Sequence, residues 1–170
     1  MGGLGAAVAV GKILRLKEPQ LLATLGIAAS MASGLRENFG TMTKPLHAGR
    51  AAENGVTAAL LARDGFTAAP NILEAARGFF NAMAGGYEDS KIRGRLGSPY
   101  FMKQPGISIK PYPSGSLSHP AQDLILDLVK EHDIKAENVE RIEVGTNSNV
   151  PNALIYPMPK TALEGKFSIP

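Results

Sequence analysis

The chain has 170 residues, of which 44% are hydrophobic, and its formal net charge is +3. This length and composition allow one domain or two small ones and exclude wholesale disorder. The charge is mild, with no Lys/Arg block and no interleaving of basic with aromatic residues, which argues against a nucleic-acid partner. Cysteine is absent, so disulfides and thiolate metal sites are excluded.

The sequence predicts neither a signal peptide nor a membrane-spanning segment. The N-terminus lacks the basic segment that precedes the apolar run of a signal peptide. Charged residues, Pro or Gly interrupt each apolar stretch well before the roughly 20 residues that a membrane span requires. The sequence therefore predicts a soluble, cytoplasmic protein with no membrane partner.

Hydrophobic periodicity predicts a helical first part and a mixed second part. A Gly- and Pro-rich stretch over 84–106 separates them, and we place the domain boundary at residue 95. The predicted fold class is α+β, with domains 1–95 and 96–170. Helices are predicted over 1–16, 19–33, 48–62, 71–80 and 120–132, with a short one near 87–93, and strands over 107–109 and 139–144.

The segment from Gly40 to Arg50 concentrates basic and titratable side chains. Lys44, His47 and Arg50 lie where a Gly- and Thr-rich loop meets a helix predicted to begin near Ala48. A helix N-terminus has free backbone N–H groups and a partial positive charge, which suit an anion. The pattern therefore predicts a pocket for a carboxylate or a phosphate. A solvated loop lysine beside a capping histidine is the alternative that the residues alone favour.

Several motifs follow one another along the chain. They are Thr43-Lys44-Pro45-Leu46-His47-Ala48-Gly49 with Gly55-Val56 and Asp64-Gly65-Phe66-Thr67, Ile72-Leu73-Glu74 with Gly78-Phe79, Lys110-Pro111-Tyr112-Pro113 with Ser118-His119-Pro120-Ala121, and Glu164-Gly165-Lys166-Phe167-Ser168. In this order they resemble the MmgE/PrpD family, and the resemblance covers almost the whole chain. This family includes 2-methylcitrate dehydratase, cis-aconitate decarboxylase and iminodisuccinate epimerase.

The resemblance implies a partial chain of a lyase. Family members combine a large all-helical domain with a smaller α/β domain, so 1–95 would be part of the first and 96–170 part of the second. Their substrates are small di- or tricarboxylates, and their acid–base chemistry needs no cofactor or metal. By this resemblance Lys44 and Lys110 match catalytic pocket lysines that also bind substrate. His47 and Arg50 would complete the carboxylate site, and the reaction would be dehydratase-like.

Other features leave alternatives open. Some decarboxylases of the family have a pocket histidine five positions after the second lysine, where this chain has Gly115. His119 and Tyr112 are interpreted as capping or packing residues. The chain could also be a non-catalytic remnant that serves as an interaction or carboxylate-binding module. Exposed apolar faces of the first two helices would then favour a homo-oligomer or a complementary family polypeptide.

Overall fold

A computed structural model describes residues 1–169. The chain forms two compact units, one made of 1–36 and 43–106, the other of 37–42 and 107 onward. The boundary at residue 95 was predicted for the two domains of the family and not for these compact units, and it remains a prediction. The α-helices are α1 (Gly2–Ile13), α2 (Glu18–Ser30), α3 (Thr43–Arg63), α4 (Phe79–Ala84), α5 (His119–His132), α6 (Asn149–Ala153) and α7 (Ala162–Gly165).

The first unit is built on α1, α2 and α3, which pack against one another in pairs. Its buried core consists of Ala7, Ala23, Ile27, Ala28, Ala58 and Ala62. Small side chains let helix backbones approach closely, as they do at Gly55 of α3. A Cβ atom there would lie 2.6 Å from the backbone N of Ala7 and 2.8 Å from the carbonyl C of Ala6. Gly55 is therefore required by the packing of α1 on α3.

Local signals explain where these helices begin and end. Pro19 lies in the first turn of α2, where a missing N–H costs nothing, and the backbone N–H of Lys17 donates to Gln20 Oε1 at 3.1 Å. The buried Asn54 of α3 donates through Nδ2 to the carbonyl of Met31 at 2.9 Å. This bond gives a partner to a carbonyl group just beyond the last turn of α2 and ties that end to α3.

The second unit is held by contacts between its glycine-containing segment 37–42 and the end of the chain. The Tyr156 hydroxyl donates to the carbonyl of Phe39 at 2.7 Å, and the rings of Phe39 and Phe167 stack with centroids 4.7 Å apart. The Ser168 hydroxyl donates to the carbonyl of Tyr156 at 2.6 Å. Gly40 has φ +84°, and a Cβ atom there would lie 2.6 Å from Tyr156 Cζ.

The predicted α+β class is wrong, because the part of the chain that the structure describes contains no β-strand. Alternation predicted strands over 107–109 and 139–144, and both segments lack regular structure. A strand needs a neighbouring strand to satisfy its backbone N–H and C=O groups. Ile109, 91% exposed, and Ile142, 60% exposed, show that no apolar face has formed there. The short segments are therefore extended or turn-like chain without a sheet.

The other predicted elements are confirmed in part. Helices are present close to three predicted ranges, as α1, α2 and α5, and the helix predicted at 48–62 extends back to Thr43. The helix predicted over 71–80 is wrong: mostly turns occupy this range, and α4 begins only at Phe79. Near 87–93 there is a single 3₁₀ turn, Asp89–Lys91. Leu124 on α5 is 65% exposed.

Candidate functional site

The first candidate lysine lies inside a helix and not in the loop before it. Helix α3 begins at Thr43, so Lys44 is its second residue and Pro45 its third. Proline is tolerated in a first turn because its absent N–H would have had no acceptor within the helix. This explains why the helix begins five residues before the predicted start. The Lys44 side chain is exposed, and the first backbone N–H groups of a helix have no acceptor within the helix itself.

His47 and Arg50 follow Lys44 at steps of three residues along α3. This spacing places neighbouring members on adjacent turns of one side of a helix. His47 is half-buried, and its ring lies 3.4 Å from the position that a Cβ at Gly34 would occupy. Arg50 is exposed and donates through Nη1 to Glu53 Oε2 at 2.6 Å. An exposed ion pair of this kind is weak, so Arg50 can exchange Glu53 for another carboxylate at little cost.

His47 and Arg50 open onto a cavity of about 220 Å³ in the first unit. Asn54 of α3 and the first turn of α1 also line it, and the polar side chains of His47, Arg50 and Asn54 all come from α3. The cavity is smaller than the roughly 300–1,000 Å³ of most drug-sized ligand pockets, and its size suits a small molecule. Lys44 is not one of the residues that line this cavity. The lining residues are Met1, Gly2, Gly3, Leu4, Ala28, Met31, Ala32, Ser33, Leu46, His47, Arg50, Ala51, Asn54 and Phe79.

Lys110 belongs to the second unit, in the segment that leads into α5. Its side chain is exposed, and its Nζ lies 3.4 Å from the carbonyl oxygen of Ser114. The structure therefore brings His47 and Arg50 together within one unit and places Lys110 in the other. Lys110 begins the motif Lys110-Pro111-Tyr112-Pro113, whose prolines restrict the backbone on either side of Tyr112.

Tyr112 and His119 attach this motif to α5. The Tyr112 hydroxyl donates to Asp123 Oδ1 at 2.5 Å, and this hydrogen bond, together with partial desolvation and the charges of Asp123 and Asp127, raises the pKa of Tyr112. The rings of Tyr112 and the buried His119 meet edge to face at 5.3 Å. His119 Nε2 lies 3.3 Å from the carbonyl of Ser114. Both residues pack, as the sequence predicted.

A hydrogen-bonded group of three polar side chains was missed at the start of α5. Gln122 Nε2 donates to Ser118 Oγ at 2.7 Å and to Ser114 Oγ at 3.0 Å, and the two hydroxyl oxygens lie 2.9 Å apart. Ser118 is 1% exposed. Ser118 and Gln122 are four residues apart at the start of α5 and share one face, so their spacing is a usable signal, whereas Ser114 lies before the helix.

Within residues 1–169, no three or more His, Cys, Asp or Glu side chains gather closely enough to hold a metal ion. Across the same described part of the chain, every helix is too short or too polar to traverse a bilayer.

Comparison with known proteins places these features in a family. The model of the MmgE/PrpD N-terminal domain matches residues 1–91. The cis-aconitate decarboxylase of Homo sapiens is 32% identical over 123 residues, which is 72% of this chain and 25% of that protein. The enzyme of the same name from Mus musculus is 30% identical over 149 residues, 84% of this chain and 30% of that protein. A third, from Aspergillus terreus, is 33% identical over 135 residues, 75% of this chain and 27% of that protein. The chain therefore spans between a quarter and a third of the length of these curated relatives.

Proposed function

Because the chain belongs to the MmgE/PrpD family, we propose that it supplies carboxylate-binding lysines to a lyase that acts on small di- or tricarboxylates. The relatives are named for cis-aconitate, a tricarboxylate whose charges need cationic partners. Lys44, His47, Arg50 and Lys110 are the proposed substrate-binding residues, with Lys44 and Lys110 also catalytic.

The single observation that carries the proposal is the position of Lys44 in the first turn of a helix of 21 residues. The ammonium group and the helix dipole both favour an anion at this end. His47 and Arg50 follow on the next two turns and line a cavity of about 220 Å³. This arrangement supports binding of a compact, multiply charged carboxylate.

The proposed chemistry is acid–base catalysis without a cofactor. Loss of water from a hydroxy acid requires removal of a proton beside a carboxylate and stabilisation of the negative charge that develops there. An ammonium group that binds the carboxylate provides that stabilisation, because its attraction increases as the charge develops. Lys44 and Lys110 are assigned this role, and the proton acceptor is left unassigned.

A dehydratase-type reaction is favoured by the environment of Gly115. Some decarboxylases of the family have a histidine at this position. In this chain a Cβ at position 115 would lie 3.0 Å from Leu154 Cδ2 and 3.3 Å from the carbonyl oxygen of Lys166. A histidine would therefore require its neighbours to move. Decarboxylation is the second candidate reaction, and the names of the curated relatives favour it.

Substrate trials separate these reactions. The chain is incubated with 2-methylcitrate and, separately, with cis-aconitate, and products are followed by NMR together with CO₂ release. Loss of water from 2-methylcitrate supports the dehydratase-type reaction, and CO₂ release from cis-aconitate supports decarboxylation. If neither substrate changes while citrate still binds, the non-catalytic carboxylate-binding module becomes the better description.

Calorimetric titration with citrate tests the lysines directly. A hydrogen bond to a charged group contributes about 1.5–3 kcal/mol, so Lys44→Ala or Lys110→Ala should weaken citrate binding by roughly 10- to 150-fold. Lys130→Ala is the control, because Lys130 is also exposed but lies in the last turn of α5. Unchanged citrate affinity in Lys44→Ala would remove Lys44 from the site.

An interaction module is the alternative of a different class. Apolar side chains on α5 are exposed, including Leu124, Leu128 and Val129, and large exposed apolar patches commonly bind a protein partner. A second copy of the chain or a complementary family polypeptide is the proposed partner. Light scattering at increasing dilution tests the homo-oligomer. A mass that stays monomeric at every concentration would count against it.

A further inference from the structure

We propose that Gln122 is a positioning residue for Lys110, acting through the side chains of Ser118 and Ser114. The proposal rests on the substrate-binding role proposed above for Lys110. Gln122 is not itself one of the proposed substrate-binding residues. Its effect is to hold the turn whose carbonyl group orients the lysine.

The hydrogen-bond directions within this group are determined by the number of donors. The Ser118 hydroxyl donates its only proton to the carbonyl of Gly115 at 2.8 Å. The Ser114 hydroxyl must therefore be the donor in the 2.9 Å contact between the two serines. The amide of Gln122 has two N–H donors, and one goes to each serine oxygen. Every proton of the group is used, so the arrangement has a single hydrogen-bonding pattern.

This arrangement fixes the backbone of Ser114 on α5. Ser118 is almost fully buried and cannot be rehydrated without opening the turn, so loss of its partners is costly. The Ser114 carbonyl then presents its oxygen to two groups, Lys110 Nζ at 3.4 Å and His119 Nε2 at 3.3 Å. Gln122 is thereby connected to Lys110 in two steps. Its amide bonds the side chains of Ser118 and Ser114, and the carbonyl group of Ser114 contacts the lysine.

The contact with Lys110 is suited to orienting the lysine and not to sequestering it. At 3.4 Å it is a long, weak hydrogen bond. It uses one of the three donors of the ammonium group and leaves two for a carboxylate. The intervening prolines and the bond from Tyr112 to Asp123 stiffen the rest of the segment. A lysine held this way loses less conformational entropy when an anion binds.

A purely structural role for Gln122 makes a different prediction. Loss of hydrogen bonds would then lower the stability of the second unit and leave the motion of the Lys110 side chain unchanged. A positioning role predicts greater motion of the Lys110 side chain and weaker anion binding. The weaker binding should be seen only when Lys110 is present. The side-chain motion of Lys110 therefore separates the two.

The experiment uses the full chain labelled with ¹³C and ¹⁵N at lysine, with Lys110 assigned by loss of its signal in Lys110→Arg. Gln122→Met removes the amide at nearly constant shape, and Ser114→Ala breaks the same group at its centre. Gln104→Met is the matched control, because Gln104 is exposed. In both group variants we expect the order parameter of Lys110 Cε to fall to that of exposed Lys130. The control should match the wild type.

Citrate titration completes the test. Gln122→Met should weaken binding by about 2- to 10-fold, the effect of releasing one side chain, and should cause no further loss when added to Lys110→Ala. The proposal is overturned if Lys110 is equally mobile in the wild type and both group variants, or if Gln122→Met weakens binding equally without Lys110. Absence of citrate binding in the wild type would defeat the proposed function, while the order parameters would still decide the positioning.

Discussion

Replacement of Gly55 by alanine tests the packing of α1 on α3. Within a helix, Gly→Ala ordinarily stabilises by about 0.8–1 kcal/mol, because alanine restricts the unfolded chain. At Gly55 the added Cβ would instead lie 2.6 Å from the Ala7 N atom and 2.8 Å from the Ala6 carbonyl C atom. Ordinary carbon contacts lie at about 3.5–4.0 Å, so α1 and α3 would have to separate by about 1 Å.

The expected loss of stability depends on which atoms the added Cβ would contact. The atoms in the way are the Cβ atom of Ala6 and backbone atoms of Ala6 and Ala7, and none of them can move aside like the end of a flexible side chain. Overpacking of a well-packed core costs about 1–3 kcal/mol, and the upper end applies here. After subtraction of the helix-propensity gain, Gly55→Ala should destabilise the first unit by about 1–2 kcal/mol.

Gly49→Ala provides the matched control on the same helix. A Cβ at Gly49 meets no atom within 4 Å, so only the propensity gain of up to about 1 kcal/mol applies. Urea unfolding followed by circular dichroism should therefore rank Gly49→Ala above the wild type and Gly55→Ala below it. A Gly55→Ala chain as stable as Gly49→Ala would refute the proposed approach of α1 to α3.

Two further predictions concern the second unit. Gly40→Ala should destabilise it by about 2–5 kcal/mol, the sum of the costs of a left-handed backbone and of overpacking against Tyr156. Unfolding followed by the near-ultraviolet circular dichroism of the tyrosines measures this change, and an unchanged signal and midpoint would contradict the prediction. Asp123→Ala should move the pKa of Tyr112 down towards its ordinary value of about 10, as followed by tyrosinate absorbance against a Tyr112→Phe reference. The raised pKa means that the bond stabilises the fold below pH 10 or so and is lost as pH rises through the folded pKa; identical titration curves would rule the bond out.

Three helices that local sequence signals predicted are present in the structure at nearly the predicted ranges. The helices α1, α2 and α5 lie close to ranges predicted from apolar periodicity, a signal that acts within a few residues. The start of α3 was placed five residues too late, because Pro45 was read with the loop although a first-turn proline is compatible with a helix. Strands failed for a different reason. Alternation shows which side chains would share a face, but a strand forms only where another strand accepts its hydrogen bonds.

The candidate site was likewise predicted from the sequence only in part. Family motifs identified Lys44 and Lys110 as residues of interest, and the structure adds that His47 and Arg50 line one cavity while Lys44 lies outside its lining. The ion pair of Arg50 with Glu53 and the contact of Lys110 with Ser114 could not be inferred from residue types alone. They depend on rotamers and on where a turn places a carbonyl group.

The amino-acid sequence by itself determined the family, the first helices and the residue types available for carboxylate binding. Each of these depends on motif order or on periodicity, which are properties of neighbouring residues. Only the tertiary structure decided that Gly55 lies against the α1 backbone, that segment 37–42 belongs with the end of the chain, and that Gln122 supports the turn after Lys110. These relations join residues through space, and the free energy of packing, which no local pattern records, selects them.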